Sequence, residues 1–580
     1  MANVEHLKAH SRALRGQIAE ELTQPASGFS AGGAGILKFH GMYQQENRDN
    51  RQTRKQEAQS KAHSFMIRTR IPGGRVTPQQ YLAHDEIATQ FGDGSLRLTT
   101  RQDFQLHGML KVDLRVVLQS IASTLLTTFA ACGDVVRNVV CCPYPVADTL
   151  EREIWHQVTT LAHHLEPKTQ AYSEIWLDGE KAADIGTPEE EPLYGDTYLP
   201  RKFKIGVALP WDNCVDVLAQ DLGFVAVTNG KRIIGYNVYV GGGLGMTHNK
   251  PATFPALGQP LAWVTNEQVV PVATAIVAIF RDWGDRENRK HARIKYLVAE
   301  KGIEWFRQEL KDRLGYTLVY PHPVTISDAY NHLGWHAQEN GLWSLGVYVE
   351  SGRIRDTETQ QTRTAFRRVV ERVQPGIRLT ADQNILFTDI LESQRPEIDA
   401  MLRAYGVATV EDVSPLRRRA LACPALPTCG LALSEAERFM PLLLPQLEHA
   451  FASLGLENEA PVVRITGCPN GCARPYTAEI GIVGRSGDNY VLYLGGSHLG
   501  TRLGVAVADL VPSKDIISTL YPVLVAFRTE RESGEHFGDF CHRLGAERIR
   551  QLISAQVAVD NADIAAVHTE ESQLQQATLA

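Results

Sequence analysis

The residues best placed to do chemistry are four thiols. Nine cysteines occur in 580 residues, at 132, 141, 142, 214, 423, 429, 468, 472 and 541. Four of the nine crowd into residues 423–472 as two pairs, Cys423-Pro-Ala-Leu-Pro-Thr-Cys429 and Cys468-Pro-Asn-Gly-Cys472. Thiolates are soft ligands, suited to zinc or to an iron–sulfur cluster. Structural zinc favours short knuckles whose tight turns wrap one small tetrahedral ion. Gaps of five and three residues suit a cubane better, because its ligands spread over several iron atoms. Gly471 and the prolines at 424, 427 and 469 can shape loops around such a body. Zinc and plain buried thiols are the alternatives. An odd, uneven set of cysteines argues against a disulfide framework.

Cations form the second set. In a strand, alternate residues share a face. Along Leu96–His107, Arg97, Thr99, Arg101, Asp103, Gln105 and His107 fall on one side and a largely apolar set on the other. Arg68 and Arg70 share a side of Met66–Ile71, and Lys202 and Lys204 share a side of Arg201-Lys-Phe-Lys204. Arg137 precedes the apolar Val139 and Val140. A single charged strand face is ordinarily just solvated. Converging faces would instead line a site for a small anion or a polycarboxylate cofactor, each unit pair at 4 Å being worth up to ~4 kcal/mol at an effective dielectric near 20.

The elements that carry these groups are duplicated. Leu96-Arg-Leu-Thr-Thr-Arg-Gln102 resembles Ile377-Arg-Leu-Thr-Ala-Asp-Gln383, and Ile71-Pro-Gly-Gly-Arg-Val76 resembles Val349-Glu-Ser-Gly-Arg-Ile354. Val140-Cys-Cys-Pro-Tyr-Pro145 resembles Ala422-Cys-Pro-Ala-Leu-Pro427 if Cys141 is matched with Cys423. Val240-Gly-Gly-Gly-Leu-Gly245 resembles Leu494–Gly500. Four similarities in one order describe two fused, diverged halves. Residues 1–63 read as an extended polar arm, residues 272–314 as helices linking the halves, and the chain beyond about 560 as a fraying tail.

Composition bounds the class. Apolar residues make up 43% and charged residues 22%, enough for several buried cores, and roughly 150 residues per domain implies three to four domains. The net charge of −7 disfavours a nucleic-acid binder. The apolar stretch Val269–Phe280 is interrupted by proline and is far short of the roughly twenty residues of a membrane span. The first residues hold no apolar signal segment, so the expectation is a cytoplasmic protein without a membrane partner. VGGGLG is not a defensible dinucleotide fingerprint, and no C-x2-C-x2-C run is present.

The settings ACPALPTCGLALSEAER and RITGCPNGCARPYTAEIGIVG resemble the signature of the sirohaem and [4Fe-4S] nitrite and sulfite reductases, as do LKFHGMYQQ, RTRIPGG, RLTTRQDFQLHG, LPRKFK and VGGGLG. The resemblance runs through nearly the whole chain and is closest to the haemoprotein (beta) subunit of the NADPH-dependent assimilatory sulfite reductases. It implies an internally duplicated α+β/α/β fold, with two ferredoxin-like halves (64–146 and 334–420) flanked by two α/β domains (147–333 and 421–580). It implies a cluster on Cys423, Cys429, Cys468 and Cys472, with Cys472 bridging to the sirohaem iron. It assigns Arg70, Arg137, Lys202 and Lys204 to the substrate, and Arg97, Thr99, Arg101, Gln105, His107, Arg201 and Asn470 to sirohaem. The implied reaction is the six-electron reduction of sulfite to sulfide for cysteine biosynthesis, with an NADPH-reduced FAD/FMN flavoprotein (alpha) subunit as donor. Nitrite reductase and ferredoxin-dependent sulfite reductase are the near alternatives. Lys204 favours sulfite, since the nitrite branch typically carries Asn there.

Overall fold

A computed structural model describes residues 3–143, 149–178 and 191–555. Among these, twenty strands fall in chain order into four groups of five. The first is β1 (Met42–Gln45), β2 (Ser64–Arg68), β3 (Arg75–Val76), β4 (Leu96–Leu98) and β5 (Phe104–Met109). The second is β6 (Val136–Cys141), β7 (Phe203–Ala208), β8 (Leu222–Asn229), β9 (Arg232–Val240) and β10 (Gln259–Val264). The third is β11 (Gly334–Ala337), β12 (Trp343–Val347), β13 (Arg353–Ile354), β14 (Gly376–Leu379) and β15 (Ile385–Ile390). The fourth is β16 (Leu421–Ala422), β17 (Val463–Thr466), β18 (Ile480–Ser486), β19 (Asn489–Leu494) and β20 (Val505–Pro512).

The first and third groups are the two half-domains, and they exchange a strand. One sheet runs β1-β2-β5-β4-β13 and the other β11-β12-β15-β14-β3. β13 pairs antiparallel with β4, setting Arg353 opposite Arg97, and β3 pairs antiparallel with β14, setting Arg75 opposite Arg378. Each exchanged strand is preceded by a left-handed glycine at the crossing. A Cβ on Gly74 (φ +70°) would lie 2.5 Å from the Leu379 carbonyl oxygen, and one on Gly352 (φ +71°) would lie 2.7 Å from that of Leu98. Only glycine meets both demands. The PGGR and ESGR motifs therefore mark the exchange itself.

The second group forms the sheet β10-β9-β8-β7-β6, with β6, β7 and β8 parallel and the rest antiparallel. The helices within 272–314 lie between β10 and β11 and pack on this sheet: Val269–Trp283 buries Val272, Ile276 and Phe280, and Phe280 packs on Phe203 of β7 at a ring-centroid distance of 5.7 Å. All of this belongs to one unit, Met1–Val413 with 426–431 and 499–501. The other unit holds β16-β17-β18-β19-β20, which repeats the same pattern of parallel and antiparallel pairs. Helices Met440–Ser453 and Ile516–Glu530 accompany that sheet. Among the described residues, no helix is long and apolar enough to cross a membrane.

The expectation of an extended N-terminal arm is corrected. Short helices at Asn3–Ala9, Ile18–Leu22 and Ala31–Ile36 lead into β1, and Leu14, Ile18, Ile36, Leu37 and Phe39 join the core. Lys8 is buried, donating to the Leu199 carbonyl at 2.7 Å and pairing with Glu5 at 2.5 Å. A few apolar residues among many polar ones supply this burial, which reads as a polar arm when only composition is counted. The expected fraying tail lies outside the described residues. Because Leu37 is fully buried, Leu37→Ala should cost roughly 2–5 kcal/mol and lower the melting temperature measurably. An unchanged thermal scan would restore the detachable arm.

Candidate active site

The cationic face is set by strand register. β2, β5, β4 and β13 place Arg68, Gln105, Arg97 and Arg353 in one row across the sheet. Cross-strand partners share a face, so these four point the same way, with His107 two residues along from Gln105. Ile67, Leu106, Leu98 and Phe104 line the opposite, core side. Gln105 accepts from Arg68 Nε at 3.1 Å, with its amide oriented so that the oxygen faces the guanidinium. Thr99 shapes the turn between β4 and β5, its hydroxyl accepting from the backbone N–H of Arg101 (3.1 Å) and of Asp103 (3.2 Å). The turn drives Arg101 into the interior. It donates to Gln220 Oε1 (2.8 Å) and to the carbonyls of Ile205 (3.0 Å) and Asn138. Burial lowers its pKa to about 10. Its Nε is buried without a partner among the described residues.

Arg68 and Arg70 part company. β2 ends at Arg68, so the alternation that would align them stops there. Arg70 turns to donate to the Ala162 carbonyl at 2.6 Å and pairs with Glu166 at 2.9 Å. Arg68 stays on the sheet face and reaches Cys132 Sγ at 3.2 Å. Arg68 and Arg137 both bear on Tyr43, and Arg137 bonds its hydroxyl. The Arg137 side chain is fixed by the carbonyls of Gly133 (2.8 Å) and Ala131 (3.0 Å). Arg201 and Lys38 extend the patch around Asp134, with Arg201 3.7 Å from that carboxylate. Burial lowers the pKa of both cations. Sequence reasoning placed Arg68 on a cationic face but gave the substrate role to Arg70, and it singled out neither Lys38 nor Tyr43. The signal for the last two was their place in LKFHGMYQQ.

Lys202 and Lys204 flank the buried Phe203 at the start of β7, both half-buried. The Lys204 backbone N–H donates to Asp221 at 2.8 Å, and Asp221 is clamped by Arg293, also at 2.8 Å. Beyond them the VGGGLG loop is tied inward. Lys295 Nζ donates to the carbonyls of Gly243 (2.8 Å) and Gly245 (2.6 Å). Burial pulls Lys295 down to about 7, with Arg293 and Lys202 adding to the effect.

The thiols sit on loops after parallel strands. Cys423 follows β16, and its N–H donates to Ile465 O at 3.2 Å, extending the ladder by one residue. Cys468 and Cys472 follow β17. Gly467 N–H donates to Cys423 Sγ at 3.3 Å, and Asn470 Nδ2 donates to Cys468 Sγ at 3.4 Å. A Cβ on Gly467 would lie 2.4 Å from the Ser434 carbonyl oxygen, so this close approach requires glycine. Cys423 and Cys468 are buried and Cys472 is exposed. Cys429 lies in the stretch 426–431 grouped with the larger unit, where its carbonyl accepts from Arg48 at 3.2 Å. Thiols receiving N–H bonds on glycine-shaped loops are the donor set that an iron–sulfur cluster requires. A buried guanidinium nitrogen without a partner and a row of arginines suit a carboxylate-bearing macrocycle.

The duplicated copy lacks this chemistry. In the register that equates Arg97 with Arg378, Leu386 stands for Gln105. Arg378 is answered by Glu151 at 2.9 Å and by the Pro143 carbonyl at 2.8 Å. Arg75, stacked on Trp155 at 4.3 Å, also pairs with Glu151.

Comparison with known proteins agrees with this geometry. The family model "Nitrite and sulphite reductase 4Fe-4S domain" matches residues 156–318 and 419–560. The model "Nitrite/Sulfite reductase ferredoxin-like half domain" matches residues 57–123 and 336–405. The chain is 44% identical over 546 residues to the NADPH sulfite reductase hemoprotein beta-component of Myxococcus xanthus, covering 94% of this chain and 97% of that one. It is 45% identical over 572 residues to the ferredoxin sulfite reductase of Synechococcus elongatus, covering 95% and 91%. The solved structure of Mycobacterium tuberculosis NirA superposes with a TM-score of 0.75 at 25% identity, covering 94% of this chain and 95% of that one. With its duplicated half-domains, its cationic sheet face and its paired thiol loops, the chain belongs to the nitrite and sulfite reductase family.

Proposed function

We propose that this protein is the haemoprotein component of an assimilatory sulfite reductase and carries out the six-electron reduction of sulfite to sulfide for cysteine biosynthesis. The observation that carries the reading is identity of over 40%, spanning nearly the full length, with NADPH sulfite reductase hemoproteins. A sirohaem and a [4Fe-4S] cluster, when bound, supply the iron that takes the sulfur and the stored electrons. Cys423, Cys429, Cys468 and Cys472 would hold the cluster, with the exposed Cys472 the thiol open to the haem side. Arg97, Thr99, Arg101, Gln105, His107, Arg201 and Asn470 would hold the macrocycle, charge-assisted bonds from the arginines meeting its carboxylates.

The substrate is a small oxyanion, and the chain offers it Arg137, Lys202 and Lys204. Arg68 takes the place that the sequence gave to Arg70, because the Arg70 head group is engaged by Glu166. These cations neutralise the anion and favour loss of its oxygens as water. Lys202 and Lys204 deliver the protons, since a guanidinium scarcely releases its own. The donor is a separate protein. Similarity to the NADPH class supports the FAD/FMN flavoprotein subunit, and the equal likeness to a ferredoxin enzyme supports ferredoxin as a second reading. Turnover measured with each donor separates the two.

Arg68→Ala should lower dye-driven kcat/KM for sulfite by roughly 10²-fold, the size of effect seen when one preorganised charge donor is lost. Arg70→Ala should leave that constant within about threefold and lower the melting temperature instead, by stranding Glu166. The opposite pattern returns the substrate role to Arg70. The purified protein should carry about five irons per chain with sirohaem absorption bands. Cys472→Ser should abolish sulfite reduction and shift those bands. A colourless protein after co-expression with sirohaem synthesis, or normal turnover in the variant, would overturn the corresponding assignment.

A further inference from the structure

The two parallel-strand sheets can be aligned residue by residue through their registers. β7 pairs β8 as Ile205↔Leu222 to Ala208↔Val225, and β17 pairs β18 as Val463↔Ile480 to Thr466↔Val483. The loops between them, 209–221 and 467–479, are equally long. Asp212 therefore stands for Asn470 and Cys214 for Cys472. On the neighbouring strands, Val140 pairs Gly206 and Cys141 pairs Val207, while Leu421 pairs Arg464 and Ala422 pairs Ile465. Cys142, not Cys141, is the counterpart of Cys423. This corrects the sequence matching by one residue.

At that duplicated position, Cys142, Asp212 and Cys214 are joined by His332, which arrives on the segment leading into β11. One ligand atom from each of the four lies within 4.8 Å of the others, and all four residues are buried. His332 Nε2 is 2.7 Å from Asp212 Oδ2 and 3.6 Å from Cys142 Sγ, and Cys142 Sγ also meets Asp212 Oδ2. A tetrahedron with metal–sulfur bonds of ~2.3 Å and metal–nitrogen or metal–oxygen bonds of ~2.0 Å has edges of roughly 3.3–3.8 Å. Closing the set takes a contraction of under about 1.5 Å at the widest edge and a lengthening of the two short edges from Asp212 to His332 and to Cys142.

The surroundings keep these groups in place. The backbone N–H groups of Cys214 and Tyr330 both donate to Asp212 Oδ1 at 3.3 Å. Asn213 braces the loop, accepting from Val217 N–H and donating to the Leu499 carbonyl, both at 2.8 Å. The loop is tied to the segment that carries His332 by Asn213 N–H to Asp328 O (2.9 Å) and Ser327 N–H to Pro210 O (2.7 Å). Val140, Ala208, Val215, Val217 and Ile326 form an apolar wall around it. An ion pair between His332 and Asp212 alone gives no reason for two thiols to turn into the same apolar pocket.

We propose that Cys142, Asp212, Cys214 and His332 hold a single tetrahedral divalent metal ion of the zinc class. Two thiolates, an imidazole and a carboxylate complete the coordination sphere and leave no position for substrate, so the ion is structural. It fastens the β7–β8 loop to the segment that enters the third strand group. The site is independent of the redox cofactors and of the sulfite reductase reading.

Zinc analysis of the purified holoprotein, desalted in the presence of EDTA, tests this together with X-ray absorption at the zinc edge, where iron does not interfere. The expected result is about one zinc per chain with two sulfur neighbours at ~2.3 Å and two nitrogen or oxygen neighbours at ~2.0 Å. Cys214→Ser and His332→Ala should each lower zinc at least tenfold at unchanged iron content. Zinc below ~0.1 per chain in protein expressed with added zinc overturns the proposal. So does a shell of four sulfurs, which would place the zinc on the other cysteine loops, or zinc retained in both variants. The wild-type measurement decides the question even if a variant fails to fold.

Discussion

The exchange of β3 and β13 between the half-domains is the contact on which the rest of the molecule depends. Neither five-stranded sheet is complete without a strand from the other half. The crossings are held to atomic tolerance by Gly74 against the Leu379 carbonyl and Gly352 against the Leu98 carbonyl. A side chain at either glycine would push the exchanged strand off its partner. The exchange also sets guanidinium opposite guanidinium, Arg97 with Arg353 and Arg75 with Arg378. Like charges directly opposed across a ladder are destabilising unless an anion lies between them. At the Arg75–Arg378 crossing that anion is the Glu151 carboxylate. At the other crossing Arg353 bonds the Ser95 hydroxyl, an uncharged group, and the row continues through Gln105 to Arg68. One crossing thus encloses the Glu151 carboxylate, and the other continues into the row of Arg97, Gln105 and Arg68 on the cationic sheet face.

That difference is how a symmetric duplication becomes an asymmetric machine. The turn Thr99–Asp103 and its copy Thr380–Asn384 keep the same backbone bond, Thr99 N–H to Asp103 O and Thr380 N–H to Asn384 O. The side chains between them diverge. Arg101, driven into the interior in the first copy, is replaced by Asp382 in the second. The scaffold was retained because the strand exchange permits little else, while the side chains facing the sites were free to change sign. The same division separates the two parallel-strand sheets, one of which keeps the thiol loops of the family signature.

The duplication was legible in the sequence because the residues that enforce the exchange, the glycine–arginine pairs and the R-L-T turns, cannot vary without breaking it. Arg97, Gln105 and His107 were legible because strand alternation holds within β4 and within β5, but it breaks at the turn Thr99–Asp103 that drives Arg101 inward. It failed at Arg70, because β2 ends two residues before it. The N-terminal segment was misread because its few core residues, Leu14, Ile18, Ile36, Leu37 and Phe39, are outnumbered by polar ones, so composition registers the polar majority. Matching Cys141 with Cys423 slipped by one place because adjacent cysteines give a sequence comparison no means of choosing, whereas ladder register does. His332 carried no local signal, since a lone histidine 190 residues from Cys142 meets it only through the tertiary fold.

The two loops of equal length show what fixes the nuclearity of a metal site on a shared scaffold. Both descend from a parallel strand, both return to the next after the same number of residues, and both place a cysteine at the sixth position. Where the second position is Cys468, the loop offers a C-x3-C pair spread widely enough for a multi-iron body. Where it is Pro210, that thiol is gone, and the Pro210 carbonyl instead anchors the segment carrying His332. Replacing Asn470 by Asp212 then brings a carboxylate close to the remaining thiols. The ligand atoms collapse to within a single ion's reach, and apolar residues close over them. Loop length set where the ligands stand, and two substitutions set whether the space among them suits a cluster or one ion.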